Sequence, residues 1–115
     1  MQCRKITASM FTTLFIVANT HLKHLRGESN LTTFTQSQTV ASGSTMTSHF
    51  CSTCGSLMYR TGSKLPGTSL LRLGTVDDFR LHETKLKPTK EIFTKDRVCW
   101  LGMVEGLEQV RGSPS

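Results

Sequence analysis

A pair of cysteines spaced by two residues and followed by glycine, Cys51-Ser52-Thr53-Cys54-Gly55, is the feature that most constrains this chain. Two thiolates at this spacing chelate one tetrahedral ion when a tight turn points both sulfurs inward, and Gly55 gives the turn the conformational freedom it needs. The same spacing occurs in redox dithiols, which usually open a helix, and in disulfides, which a turn this tight disfavours. The favoured prediction is half of a zinc site.

Length and composition explain why a metal would matter for the stability of this chain. It has 115 residues, the size of one domain, and 37% of them are hydrophobic, below the usual share of about 45–50%. A domain of this size buries about two-thirds of its unfolded surface, so a thin core gains from a metal or a partner. We expect one domain over residues 1–111 and a frayed tail at residues 112–115.

The net charge of +6 permits anionic partners, but its distribution disfavours nucleic acid as the main one. The positive residues are scattered, and the densest stretch, residues 85–97, is interrupted by Glu91 and Asp96. No run approaches the roughly 20 apolar residues that a bilayer requires, so no membrane association is expected. Residues 6–18 could be drawn as a secretory signal, but four Ser and Thr dilute their apolar character.

The residue pattern favours strands over helices. Serine and threonine account for 29 residues and alternate with short bursts of Val, Ile and Phe. Met10 to Ala18 has apolar side chains on both faces and is predicted to be a strand inside the domain. Further short strands are predicted between Gly and Pro turn signals: Leu31 to Gln36, Met46 to Cys51, Ser56 to Thr61, Thr68 to Gly74 and Glu91 to Thr94. One short helix is predicted at Val104 to Arg111, so the chain is expected to be mainly β.

A closed zinc site needs four ligands, and the cysteine motif provides two of them. The candidates for the others are Cys3, Cys99, His21, His24, His49 and His82. His21 and His24 are expected to be exposed, and Cys99, with its apolar neighbours, is expected to be a buried small hydrophobe. His49 either supports a ligand through a hydrogen bond or caps a strand edge. The residues alone leave the site incomplete.

Four segments of the chain carry a resemblance to a known family. Residues 3–11, CRKITASMF, are similar to a segment C-R-K-x-T-G-S-x-F, with Ala8 where glycine is usual. Residues 50–60, FCSTCGSLMYR, are similar to F-C-x-x-C-G-(S/T)-x-(L/I)-(Y/F), residues 73–78 to a G-T-L-D-D turn, and residues 97–112 to R-x-x-W-L … E-G-x-x-Q … G. In these segments the chain resembles the glutathione-dependent formaldehyde-activating enzyme family, which includes centromere protein V, and especially its fungal branch.

The resemblance implies a mainly β, Mss4-like sheet fold with a zinc knuckle, and two zinc sites in complete members. Cys51 and Cys54 match two ligands of the structural zinc, and Cys3 matches the last cysteine of the motif that holds the catalytic zinc through three thiolates. The other cysteines of both motifs have no counterpart in this chain. The domain is therefore expected to be partial at its N-terminus, as a truncated product or an incorrect gene model would be, with Cys3 as the remnant of an incomplete catalytic site.

The resemblance also implies a function, with glutathione or a glutathione adduct as partner. Complete members act as carbon–sulfur lyases on glutathione–aldehyde adducts of the S-hydroxymethylglutathione type, and this chain is expected to be impaired because most catalytic-zinc cysteines are missing. The alternative is a noncatalytic zinc-knuckle module that binds a protein or nucleic acid. A cytoplasmic location is expected, since thiolates and glutathione both belong to a reducing compartment.

Overall fold

The computed structural model describes residues 2–36 and 45–112, which belong to two compact units. One unit is the continuous segment Leu14–Thr75, called here the sheet unit. The second unit combines the residues up to Thr13 with those from Val76 onward. Residues 113–115 of the predicted frayed tail lie outside the described residues, and the domain boundary at residue 111 stays a prediction.

The sheet unit is built on an antiparallel sheet of five strands. In chain order these are β1 (Leu14–Ala18), β2 (Leu31–Gln36), β3 (Met46–Cys51), β4 (Leu57–Gly62) and β5 (Thr68–Arg72). They lie in the order β1-β5-β4-β3-β2, so that β2 to β5 form a meander and β1 pairs with β5 at the far edge. This sheet confirms the prediction of a mainly β fold. The strands form here because β-branched and aromatic residues, which favour extended backbone, recur along these segments.

The predicted strands agree closely with the observed ones in the meander. β2 and β3 have the predicted bounds, and β4 is displaced by one residue at each end. The fifth strand stops at Arg72, where a 3-10 turn at Leu73–Thr75 begins. β3 carries a bulge between His49 and Phe50, which shifts its register against β4 just before Cys51.

The interior of the sheet unit contains more polar than apolar side chains. Its buried apolar residues, among those described, are Leu70 and Leu73, and its buried polar residues are Ser48, Arg60, Ser69 and Arg72. Buried polar groups cost free energy unless hydrogen bonds compensate them, and the Ser69 hydroxyl accordingly donates to Asn19 Oδ1 at 2.6 Å. Few of the described apolar side chains of this unit are therefore fully buried, and others, such as Phe15 and Leu57, are half-buried.

The first strand differs from its prediction in length and in position. β1 begins at Leu14 instead of Met10, it lies at the edge of the sheet, and Ile16 is 56% exposed. The prediction of a strand inside the domain is therefore wrong. Apolar residues on both faces are compatible with an edge strand, because the pattern of side chains along a strand does not depend on whether one or two other strands pair with it.

The residues before β1 form a bend in which Ala8 has a φ of +53°. This left-handed conformation costs an L-residue with a Cβ roughly 1–2 kcal/mol, and glycine adopts it without that cost. We expect Ala8→Gly to raise the free energy of unfolding by about 0.5–1 kcal/mol after the greater unfolded-state entropy of glycine is subtracted. Urea unfolding measures the change. A matched Ala18→Gly variant, in the extended β1, should instead lower the stability, and a loss of stability in Ala8→Gly would contradict the prediction.

The second unit contains two short helices and a small parallel sheet. The helices are α1 (Gln2–Thr7) and α2 (Phe79–Glu83), and the sheet pairs β6 (Lys90–Glu91) with β7 (Glu108–Gln109). The prediction of a helix at Val104 to Arg111 is wrong, because Gly106 has a φ of +88° and the following residues extend to pair with β6. The predicted strand at Glu91 to Thr94 is also shorter than expected, because a 3-10 turn begins at Thr94.

Neither helix was predicted from the sequence. α2 is only five residues long and begins after Asp78, whose carboxylate accepts a hydrogen bond from the Arg80 backbone N–H. Aspartate at this position satisfies a backbone donor that the helix leaves unpaired. Asp78, predicted from the sequence to be a turn residue, therefore caps a helix.

Arg97 connects β6 to β7 through its guanidinium group. Its Nη2 atom donates to Glu91 Oε2 at 2.6 Å and also to Gln109 Oε1. The Arg97 and Glu91 side chains are only 24% and 22% exposed, so solvent screens this ion pair less than it screens a surface pair. The Glu91 carboxylate also accepts a hydrogen bond from the Val104 backbone N–H at 3.3 Å.

We expect Arg97→Met to lower the free energy of unfolding by about 1–3 kcal/mol, because the Glu91 carboxylate would remain partly buried without its charged partner. Equilibrium urea unfolding measures the loss. The control is Arg111→Met, which removes the same charge from an exposed position. Adding Glu91→Gln to Arg97→Met should restore part of the loss. Equal stability of the two single variants would rule out the proposed role of the pair.

Cys99 does not have the buried position that its apolar neighbours indicate, and the adjacent Trp100 is also exposed. Cys99 is exposed and Trp100 is 70% exposed. The segment forms a turn in which the Leu101 backbone N–H donates to the Val98 carbonyl oxygen at 3.1 Å, and this turn directs both side chains outward. The prediction that Cys99 is a buried small hydrophobe is therefore wrong. No helix in the described ranges is both long enough and apolar enough to cross a membrane.

Candidate metal centre and a polar cavity

The cysteine knuckle follows directly from the end of β3. The Cys51 backbone N–H donates to the Ser56 carbonyl oxygen at 2.9 Å, and the Gly55 N–H donates to the Cys51 carbonyl oxygen at 2.7 Å. Gly55 has a φ of +79°, a left-handed conformation that glycine adopts without steric cost, so it supplies the freedom that the turn needs. The turn therefore holds the two cysteines close together, with Cys51 partly buried and Cys54 exposed.

Asn30 fixes the knuckle from the preceding loop. Its Nδ2 group donates to Thr53 Oγ1 at 2.9 Å and contacts Cys51 Sγ at 3.6 Å. The Ser52 hydroxyl lies 2.6 Å from Asn30 Oδ1, and the Ser52 backbone N–H donates to the Asn30 carbonyl oxygen at 2.9 Å. Sequence reasoning missed Asn30, because its 21-residue separation from Cys51 gives no local signal.

The surroundings of Cys54 favour its thiolate form. Hydrogen bonds from the side chain and the backbone of Ser56, followed by one with the Cys51 side chain, lower the pKa of the Cys54 thiol below its ordinary value. The Cys54 Sγ to Ser56 Oγ distance is 3.2 Å. The thiolate is the form of cysteine that binds metals, so these contacts suit a metal ligand.

The described residues bring together two of the predicted metal ligands. Cys51 and Cys54 meet in the knuckle, whereas Cys3 lies in α1 of the second unit, where only its backbone is described. Within residues 2–36 and 45–112, no group of three or more His, Cys, Asp and Glu side chains is placed to hold a metal. The donor set fits half of a tetrahedral zinc site, and the role of Cys3 stays a prediction.

Among the histidines that were candidates for the missing ligands, His49 and His82 have other partners. The His49 ring stacks on Tyr59 with centroids 4.3 Å apart, and its Nε2 atom lies 3.2 Å from Thr61 Oγ1. His82 Nε2 lies 3.0 Å from the Val76 carbonyl oxygen. His21 and His24 are exposed residues, as expected. His49 therefore contacts Tyr59 and Thr61 of β4 through its ring face and its Nε2 atom.

A polar cavity of about 260 Å³ lies on the sheet unit. It is lined by Asn19, Leu22, His24, His49, Tyr59, Thr61 and Ser69. His24 Nε2 is 3.1 Å from the Tyr59 hydroxyl, and His24 Nδ1 is 3.6 Å from Glu28 Oε2. Burial, and then the negative charge of Glu28, raise the pKa of Tyr59, so its phenol keeps the proton that it can donate to His24.

Burial, and then the neighbouring His24, lower the pKa of His49 below its ordinary value. In the unfolded chain His49 takes up a proton near pH 6.5, whereas in the folded chain it takes one up only at a lower pH. We expect the free energy of unfolding to decrease as the pH falls from 7.5 through 6.5, because protonation then favours the unfolded state.

Urea unfolding at several pH values measures this dependence. The His49→Gln variant should show a smaller loss of stability between pH 7.5 and pH 5.5 than the unchanged chain. His21→Gln, at an exposed position, serves as the control and should keep the full dependence. A pH dependence that survives His49→Gln unchanged would rule out this contribution.

Comparison with protein-family models gives a match to the model described as "Glutathione-dependent formaldehyde-activating enzyme", over residues 1–96. The match covers most of the chain and includes Cys3, Cys51 and Cys54. Searches of curated proteins and of solved structures found no match.

Proposed function

Because the chain belongs to the glutathione-dependent formaldehyde-activating enzyme family, we propose that it is a zinc-binding domain of the carbon–sulfur lyase type, acting on glutathione–aldehyde adducts in the cytoplasm. The observation that carries this proposal is the knuckle of Cys51 and Cys54. Gly55, Ser56 and Asn30 give that knuckle a shaped turn and a thiolate-stabilising environment. This arrangement is typical of a metal ligand pair.

The residues that would hold zinc are Cys51 and Cys54 at the structural site and Cys3 at the catalytic site. A bound zinc ion with an open position would act as a Lewis acid toward a thiolate or a carbonyl oxygen. The surrounding residues have supporting roles. Asn30 orients Cys51 through its Nδ2 group, and Ser56 stabilises the negative charge on Cys54.

We propose that the 115-residue chain by itself binds zinc weakly and has little lyase activity. It has four cysteines, and one of them, Cys99, is exposed in the second unit. A complete zinc site is worth about 10–16 kcal/mol, so two ligands of four would supply about half of it. That corresponds to a dissociation constant on the order of 1–200 μM.

A zinc titration of the purified chain, followed by thiolate absorbance, tests the metal part of the proposal. The expected result is one weakly bound ion that requires Cys51 and Cys54. Consumption of formaldehyde in the presence of glutathione tests the lyase part, and we expect a rate close to that without protein. Tight binding of two ions, or rapid turnover, would contradict the proposed impairment, and no zinc binding at all would contradict the metal site.

The net charge of +6 permits a second candidate, a noncatalytic zinc-knuckle module that binds a protein or nucleic acid. Nucleic acid binding driven by charge weakens steeply as salt increases. Retention of the chain on immobilised duplex DNA at 50 mM salt, with release at 200 mM salt, would favour this candidate. Absence of retention at 50 mM salt would remove the nucleic acid form of it.

A further inference from the structure

The polar cavity is chemically separate from the cysteine knuckle. Among the described residues, its lining contains no cysteine and no Lys, Arg, Asp or Glu. Its walls combine the stacked rings of His49 and Tyr59 and the apolar side chain of Leu22 with hydroxyl and amide groups. Such a mixture of apolar surface and a few polar groups is typical of small-molecule sites.

The hydrogen bonds at the cavity orient its polar groups. Ser69 is 2% exposed and donates its hydroxyl proton to Asn19 Oδ1 at 2.6 Å, so the NH2 end of the Asn19 amide remains as a donor. His24 Nε2 lies 3.1 Å from the Tyr59 hydroxyl and His24 Nδ1 lies 3.6 Å from the Glu28 carboxylate, so both ring nitrogens already have neighbouring polar groups. The Thr61 hydroxyl lies 3.2 Å from His49 Nε2, and when that nitrogen carries the ring proton the hydroxyl accepts from it and keeps its own proton for a ligand. Asn19 and Thr61 therefore supply donors for a ligand that accepts hydrogen bonds.

The charge of the sheet unit favours a negative ligand. The sequence of this segment contains five Lys and Arg but a single acidic residue, Glu28, which gives a formal net charge of +4. Glu28 is not among the lining residues and lies near His24. A positive field of this kind raises the local concentration of anions.

We propose that this cavity binds a small carboxylate, with the Asn19 amide and the Thr61 hydroxyl as its donors and the Tyr59 and His49 rings as its wall. A planar group with one negative charge suits neutral N–H and O–H donors, and the faces of the Tyr59 and His49 rings suit the apolar carbon atoms that carry such a group. A phosphate carries more charge, and the lining offers no Lys or Arg to match it. The carboxylate can belong to a free small acid or to glutathione, which has two carboxylates.

The probes are succinate, its neutral analogue succinamide, glutathione and glutathione diethyl ester. Each is titrated into the 15N-labelled full chain, and amide chemical shifts are recorded. We expect succinate to bind at least tenfold more tightly than succinamide and to shift the amides of Asn19 and of Tyr59 to Thr61. Binding of glutathione but not of its ester, without succinate binding, would identify glutathione as the source of the carboxylate. Equal binding of charged and neutral probes, or no binding of either acid, would overturn the proposal.

Two variants test the assigned donors. Asn19→Ala and Thr61→Val should each weaken binding of the carboxylate probe about 3- to 10-fold, the effect of one lost hydrogen bond. His21→Ala, in the same 3-10 turn as Asn19 but outside the cavity lining, is the matched control and should bind normally. Unchanged binding by both cavity variants would overturn the assignment. Thermal unfolding checks the fold of each variant. If a variant unfolds, the amide shift changes of the unchanged chain show instead whether the probe binds beside Asn19 and Thr61. These measurements require neither zinc nor lyase activity, so their failure is separable from failure of the proposed function.

Discussion

Cys51→Ser is expected to abolish measurable zinc binding by the chain. If a complete site of about 10–16 kcal/mol is shared among four ligands, each thiolate contributes about 2.5–4 kcal/mol, which is about 70- to 900-fold in affinity. A serine hydroxyl does not replace a thiolate as a zinc ligand at neutral pH. Because only Cys51 and Cys54 are grouped in the described residues, losing one of them leaves a single thiolate. Zinc content after gel filtration and the thiolate-to-cobalt absorbance of the cobalt-loaded chain both measure this loss.

The matched control is Cys99→Ser, which removes an exposed thiol in the second unit. We expect it to keep the zinc content and the cobalt spectrum of the unchanged chain. Cys3→Ser tests the remaining sequence-derived ligand, and a partial loss of zinc in that variant would support its assignment. Full zinc content in Cys51→Ser would show that the knuckle is not the metal site. Equal losses in Cys51→Ser and Cys99→Ser would indicate nonspecific binding to thiols.

The elements that the sequence predicted well are those with a strong local signal. β2 and β3 are short runs that contain threonine and phenylalanine, both typical of strands, and the knuckle carries its own spacing and glycine. The family match over residues 1–96 agrees with the resemblance read from the motifs. These features need no knowledge of distant contacts.

The elements that the sequence missed depend on contacts that local patterns do not report. The segment at Val104 to Arg111 has helical composition, but pairing of β7 with β6 and the left-handed Gly106 extend it instead. β1 has the residues of an internal strand and lies at an edge, because topology decides its neighbours. In the candidate sites, Asn30 and the cavity-lining Asn19 were missed for the same reason. Their partners, Cys51 and Ser69, are 21 and 50 residues away in sequence.

Asn30 provides the second large expected effect, because one amide group contacts three residues of the knuckle. Its Nδ2 group reaches Thr53 and Cys51, and its Oδ1 atom lies 2.6 Å from the Ser52 hydroxyl. We expect Asn30→Ala to lower the free energy of unfolding by about 1–3 kcal/mol. This value is near the lower end of the sum for three hydrogen bonds, because water can replace the lost hydrogen bonds at an exposed position. We also expect zinc affinity to fall about 10- to 100-fold, the usual effect of removing a residue that orients a metal ligand.

Two measurements separate these effects of Asn30→Ala. Urea unfolding of the metal-free chain reports the loss of the hydrogen bonds, and zinc titration of the folded variant reports the loss of ligand orientation. Ser29→Ala is the matched control, because Ser29 is an exposed neighbour in the same 3-10 turn at Glu28–Asn30. If Asn30→Ala lost stability but bound zinc as the unchanged chain does, Asn30 would support only the turn. A loss of zinc affinity beyond that of Ser29→Ala would instead assign it the positioning of Cys51, since its Nδ2 group is the contact to that sulfur.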